Sequence, residues 1–192
     1  MENILDKATQ WLTTTFDAAT QKEVNELIAD NSNDLLDRFY KDMEFGTGGM
    51  RGLMGAGTNR INKYTLGRAT QGLSNYLIQN VQKEKLSVVI AYDCRHNSKK
   101  FAKIVADVLS ANNISVFLFE DLRATPELSF AVRYLNCDAG IVLTASHNPP
   151  EYNGYKVYWD DGGQIVAPHD SGIISEVRKV KSLSEVHIFS GP

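Results

Sequence analysis

Several things are scarce in this 192-residue sequence, and each scarcity removes a class of explanation. There are only two cysteines, Cys94 and Cys137, and neither sits in a Cys-x-x-Cys or Cys/His pattern, so no disulfide framework or zinc motif organises the chain and a reduced, intracellular setting is expected. No apolar run approaches the roughly 18 residues of a membrane span, and the N-terminus lacks a basic segment followed by an apolar core. The expectation is a cytoplasmic protein with no membrane partner. Basic surplus is missing as well. A net charge of -3 and a pI near 5.8 argue against a nucleic-acid partner held by a general positive field, while leaving room for a local basic pocket. Carboxylates are not clustered: no Asp-x-Asp-x-Asp run occurs, and Asp160-Asp161 sits in a Gly-Gly turn signal where solvated turn residues are the better reading. Internal repeats and low-complexity stretches are absent too.

What is present, 43% hydrophobic and 22% charged residues, is ordinary for a globular chain that buries one good core or two small ones. Residues 1–40 read as a helical N-terminal extension packed on the main domain. Ile4, Leu5, Ala8, Trp11 and Leu12 recur at helical spacing, Thr20-Gln-Lys-Glu23 is a capping box opening a second helix, and a third follows Asn31-Ser-Asn33. Residues 41–182 read as an α/β domain. Leu66, Ala69, Leu73, Tyr76 and Leu77 mark a helix over 64–81. Leu86–Tyr92, Ile114–Phe119 and Ala139–Leu143 read as strands, separated by a helix capped by Ser98 and one with Thr125 as N-cap before Pro126. Then Tyr155–Trp159 alternates, Gln164–Val166 returns from a hairpin turn, and Ile173, Ile174, Val177 and Val180 mark a last helix. Residues 183–192 read as a tail or the start of a linker. Strands alternating with helices predict a mixed, mainly parallel sheet sandwiched by helices. Ligands gather beyond the carboxyl ends of such strands, where Asp93-Cys-Arg95, Arg123-Ala-Thr125 and Thr144-Ala-Ser146 all fall.

Two segments carry the chemistry. Glu44-Phe-Gly-Thr-Gly-Gly-Met-Arg-Gly52 is glycine-rich, but Arg51 stands where a dinucleotide fingerprint needs glycine, and Thr58 where a P-loop needs lysine. Its glycines instead suit close approach of backbone amides and Arg51 to an anion. Thr144-Ala-Ser-His-Asn-Pro-Pro-Glu-Tyr-Asn-Gly-Tyr-Lys156 places a hydroxyl, an imidazole and a cation in one loop stiffened by Pro149 and Pro150. Asp93 and Arg95 are placed to pair and brace that loop.

Both segments resemble signatures of the α-D-phosphohexomutases, the phosphoglucomutase and phosphomannomutase family. Thr144–Lys156 resembles its phosphoserine loop, and Phe45–Gly52 its N-terminal Phe-Gly-Thr-Ser-Gly-Leu-Arg-Gly, with a glycine where serine is usual and Arg51 in register. The resemblance covers residues 44–180 and implies the first of four domains, the others being absent here. It implies that Ser146 is the phosphorylated serine and one magnesium ligand, that His147 and Lys156 are candidates for general acid and base, and that Arg51 faces the transferring phosphate. Thr144, Ser146, His147, Lys156 and Arg51 would together contact substrate phosphate. The implied reaction is reversible relocation of phosphate between C1 and C6 of a hexose phosphate through a bisphosphorylated sugar. Magnesium and a glucose 1,6-bisphosphate-type activator would serve as cofactors, and the remaining magnesium ligands would lie in absent domains. The isolated chain is then expected to be inactive, with a fragment dimer forming through faces meant for the other domains. Phosphopentomutases and sugar-bisphosphate synthases of the same family remain open, as does a non-catalytic sugar-phosphate-binding module.

Overall fold

The structure is a computed structural model that describes residues 3–30 and 33–189. Three short helices come first: α1 (Ile4–Gln10), α2 (Ala18–Asp30) and α3 (Asn33–Phe39). The domain proper runs β1 (Gly49–Leu53), α4 (Lys63–Asn80), β2 (Ser87–Tyr92), α5 (Ser98–Ala111), β3 (Ser115–Leu118), α6 (Thr125–Tyr134), β4 (Ala139–Leu143), β5 (Tyr152–Trp159) and α7 (His169–Lys179). The strands form one mixed sheet in the order β1-β5-β4-β2-β3. β2 is parallel to β3 and β4, whereas β5 pairs antiparallel with both β4 and β1, so four strands run one way and β5 runs against them. This is the mixed, mainly parallel α/β sheet that the alternation of elements predicts.

Strand alternation sorts the core into two layers. Val88, Ile90, Ile141, Leu143, Tyr155 and Val157 face α4 and α5, while Val89, Ala91, Val142 and Tyr158 face Leu128, Ala131 and Val132 of α6. Leu73, Leu77, Ile90, Leu109, Ile141 and Leu143 are wholly buried, each contributing about 1.5–3 kcal/mol by leaving water. A third cluster joins the N-terminal helices to the domain. Ala8, Trp11, Val24, Leu27, Leu35 and Phe39 pack on Ala56 and Tyr64, and Arg38 meets both Glu23 and the Ala56 carbonyl. At the other end the chain runs back over α4 and α5, with His187 N donating to Gln71 and Phe189 N to the Asp107 carbonyl.

Several sequence readings need correction. α2 begins at Ala18, because the Asp17 carboxylate accepts from the amides of Ala19 and Thr20 and takes the capping place read for Thr20. Asn31 and Ser32, read as preceding the third helix, lie outside the described residues, as do Met1, Glu2 and Ser190–Pro192. Ser98 and Thr125 are the first helical residues and not caps; Asn97 and Ala124 precede them. Gln164–Val166 forms only an isolated bridge to Tyr158 after the turn. The glycine-rich segment holds an edge strand, β1, which its residues did not announce. Gly49 has φ +135°, and a Cβ there would stand 1.9 Å from the Tyr155 carbonyl oxygen, so only glycine lets β1 lie this close on β5.

Candidate active site

The loop from Thr144 to Glu151 leaves the carboxyl end of β4 and returns as β5. Its first turn is fixed from below, where Thr144, buried, accepts the Ser146 amide on its hydroxyl at 3.0 Å and donates its own amide to Gly154. Ser146 has φ 57° and an exposed hydroxyl, with the His147 Nδ1 3.4 Å away. Asn148 donates its amide to the Ala145 carbonyl, and its buried side-chain Oδ1 has no partner among the described residues. The serine thus stands at the loop tip with a titratable ring beside it.

Arg95, from the end of β2, holds this loop. Its Nη2 donates to the carbonyls of Ser146 (2.8 Å) and Asn148 (2.6 Å), and its Nη1 to those of Pro149 (2.8 Å) and Tyr152 (3.2 Å). Nε lies 3.4 Å from Asp93 Oδ2, so all five donors of the fork are directed. Asp93 in turn accepts from the Arg95 amide and from Ser98 Oγ, which itself takes Asn153 Nδ2 from the start of β5. The expected brace is present and reaches further than a single ion pair. Proline-rich turns expose carbonyls that no amide can satisfy locally, and a planar guanidinium gathers four of them.

The two cations come from neighbouring strands. Register sets Arg51 opposite Gly154 and Lys156 opposite both Gly49 and Val142. Since Tyr155 and Val157 face α4 and α5, Gly154 and Lys156 face the other side of the sheet, and Arg51 shares it. A Cβ on Gly154 would stand 2.6 Å from the Thr144 carbonyl oxygen, so glycine here keeps the serine loop and β5 in contact. Arg51 is exposed and also borders a cavity of about 300 Å³ shared with Lys41, Asn59 and Tyr152.

Ser146 and His147 thus sit together on the loop beyond β4, while Arg51 and Lys156 share one face of the neighbouring strands β1 and β5. Thr144 is buried, and its hydroxyl accepts the Ser146 amide beneath the loop. The glycine amides also differ from the sequence reading. Gly46 and Gly49 bond each other's carbonyls and Gly55 bonds Ile61, so those amides shape the strand and do not cradle an anion. Asn153 was missed. A buried asparagine inside a strand, with Nδ2 on the His96 carbonyl and Oδ1 on the Gly154 amide, ties β5 to α5, and its only sequence signal is a residue type depleted in strands. For a hard divalent cation the chain offers the Ser146 oxygen, while no group of three His, Cys, Asp or Glu side chains converges among the described residues. Such an ion takes about six oxygens, so these residues do not make a magnesium site by themselves.

Fold and site together define a mixed α/β domain that presents an exposed serine hydroxyl on the loop after β4, with Arg51 and Lys156 on one face of the neighbouring strands. Residues 42–184 match the phosphoglucomutase/phosphomannomutase alpha/beta/alpha domain I, and the chain belongs to that family. It is 41% identical over 184 residues to a human phosphopentomutase, covering 91% of this chain and 30% of that enzyme. It is 50% identical over 129 residues to a Staphylococcus aureus phosphoglucomutase, covering 67% of this chain and 23% of that enzyme. Among solved structures, the phosphoglucomutase parafusin from Paramecium, in its open form, matches with a TM-score of 0.63 at 25% identity, over 73% of this chain and 27% of that one. The chain thus spans less than a third of the length of these relatives.

Proposed function

We propose that this chain is the phosphoserine-bearing first domain of a sugar-phosphate mutase, with residues 41–182 as the working unit. The observation that carries the reading is the Ser146 hydroxyl, exposed on a loop whose carbonyls Arg95 gathers, with Arg51 and Lys156 on one face of the adjoining strands. In the first half-reaction a sugar hydroxyl oxygen attacks the phosphorus of phosphoserine 146. The bond to Ser146 Oγ breaks, the sugar proton passes to a base, and Oγ takes up a proton. In the second half, Ser146 Oγ attacks the other phosphate of the bisphosphorylated sugar, gives up its proton, and the leaving sugar oxygen is protonated. His147 and Lys156 are the proton carriers within this chain. Arg51 and Lys156 offset the roughly -1.5 to -2 charges of the phosphoserine. Magnesium, bound through the Ser146 oxygen and ligands outside this chain, would neutralise charge on phosphate oxygens.

The substrate of the first reading is a hexose phosphate, relocated between C1 and C6, with a glucose 1,6-bisphosphate-type molecule loading the serine. A second reading, a pentose phosphate, is favoured by one observation: phosphopentomutases of human, mouse and Pongo abelii match over 91–93% of this chain. Steady-state turnover of glucose 1-phosphate and of ribose 1-phosphate by the full-length enzyme separates the two. Ser146→Ala is expected to abolish turnover of whichever is the substrate while the domain stays folded; retention of most activity would remove Ser146 from the mechanism.

A further inference from the structure

A cavity of about 580 Å³ opens where the α1–α2 connection, the start of α4 and the segment after α7 meet, and no residue of the serine loop, β1 or β5 lines it. Trp11, Phe16 and Tyr64 form an interlocked aromatic wall, with ring centroids between 4.5 and 5.4 Å apart. Arg68 and Lys181 supply positive charge. The Arg68 fork is fixed in place, since Nε and Nη2 both donate to the Val180 carbonyl at 3.2 and 3.0 Å. Its Nη1 reaches Asp42, a carboxylate with 57% of its side chain exposed, and an ion pair that open to water contributes little and yields readily to another anion. Lys181 is exposed and enters no ion pair among the described residues. An oriented guanidinium, a second cation and an aromatic wall in a cleft of this volume match the size and chemistry of small-ligand sites.

We infer that this cavity binds a small phosphorylated ring compound, with the phosphate on Arg68 and Lys181 and the ring against Phe16 and Tyr64, independently of the chemistry at Ser146. Because the walls come from both the N-terminal helices and the main domain, occupancy holds the extension in place. The test is an amide NMR titration of the 192-residue chain with ribose 5-phosphate, and separately with inorganic phosphate. Saturable shifts are expected at Thr15, Tyr64 and Ser182, with the sugar phosphate binding more tightly than phosphate alone. Lys181→Glu, at an exposed position, should weaken binding about tenfold, the scale of one charge-assisted contact, whereas Arg51→Gln should leave it unchanged. Shifts confined to residues 144–156, an affinity unaltered by Lys181→Glu, or equal binding of the two probes would overturn the assignment.

Discussion

At Ser146 the backbone occupies φ 57°, a region that costs a side-chain-bearing residue roughly 1–2 kcal/mol. Three other non-glycine residues share positive φ among those described, and all three are asparagines, which tolerate it: Asn97, Asn113 and Asn136. A serine in that company, next to an unpaired buried Asn148 Oδ1, places two local costs on one loop, as functional loops often do. Ser146→Gly should therefore remove turnover and also stabilise this domain by about 1 kcal/mol, read as a rise in the urea midpoint; a midpoint unchanged or lowered would mean that the loop is not strained. Arg95 governs the same loop from outside it. Arg95→Ala leaves four carbonyls without their shared donor, and displacement of a reacting group by about 1 Å can cost roughly a hundredfold in rate. The expected signature in the full-length enzyme is a fall in kcat of about that size with KM little changed, which Arg95→Lys fails to restore, because an ammonium cannot span four acceptors in one plane.

Among the elements, those with strong periodicity were legible in the sequence. α5 buries one face, α4 carries its apolar stripe of Leu66, Ala69, Leu73 and Leu77 while Gly72 on another side packs against Val177 of α7, and β2 and β4 are continuous apolar runs covered on both sides. β1 was not legible, since Gly-Met-Arg-Gly-Leu has no alternating apolar pattern and becomes a strand only because its glycines fit against β5. The start of α2 was misread for the opposite reason: Thr20-Gln-Lys-Glu23 satisfies a local rule, yet Asp17, held by the Tyr64 hydroxyl and Lys63 from α4, wins through tertiary contacts. The site followed the same division. The candidates Ser146, His147, Lys156 and Arg51 rest on their motifs, whereas the four-carbonyl reach of Arg95 depends on where two loops meet. One element also carries a pH dependence. Tyr155 on β5 is wholly buried, and burial drives its phenol pKa upward against the opposing hydrogen bond to Thr70. The neutral form is favoured in the fold, so this contribution to stability is complete below the ordinary tyrosine value of about 10 and is lost as pH rises above it. Tyr155→Phe should lessen the drop in urea midpoint between about pH 8 and pH 11; an undiminished drop would place the alkaline loss elsewhere, for instance in ion pairs such as Lys63 with Asp17.

For the molecule as a whole, the helical extension and the α/β domain are joined by packing and by charge, with Trp11 and Phe16 on Tyr64 and with Arg60, nearly buried, held by Asp34 and Asp37. Among the described residues no group of three His, Cys, Asp or Glu side chains converges to hold a metal, and the chain spans about 30% of its phosphopentomutase relatives. The 192-residue chain by itself should accordingly show no measurable conversion of glucose 1-phosphate. The central claim concerns one atom, the Ser146 Oγ, and its most direct test is intact mass and phosphopeptide mapping of the full-length enzyme after incubation with glucose 1,6-bisphosphate. One added phosphoryl group, located on Ser146 and absent from the Ser146→Ala variant, is the expected result; a phosphoryl group on another residue, or none at all while turnover continues, would contradict it.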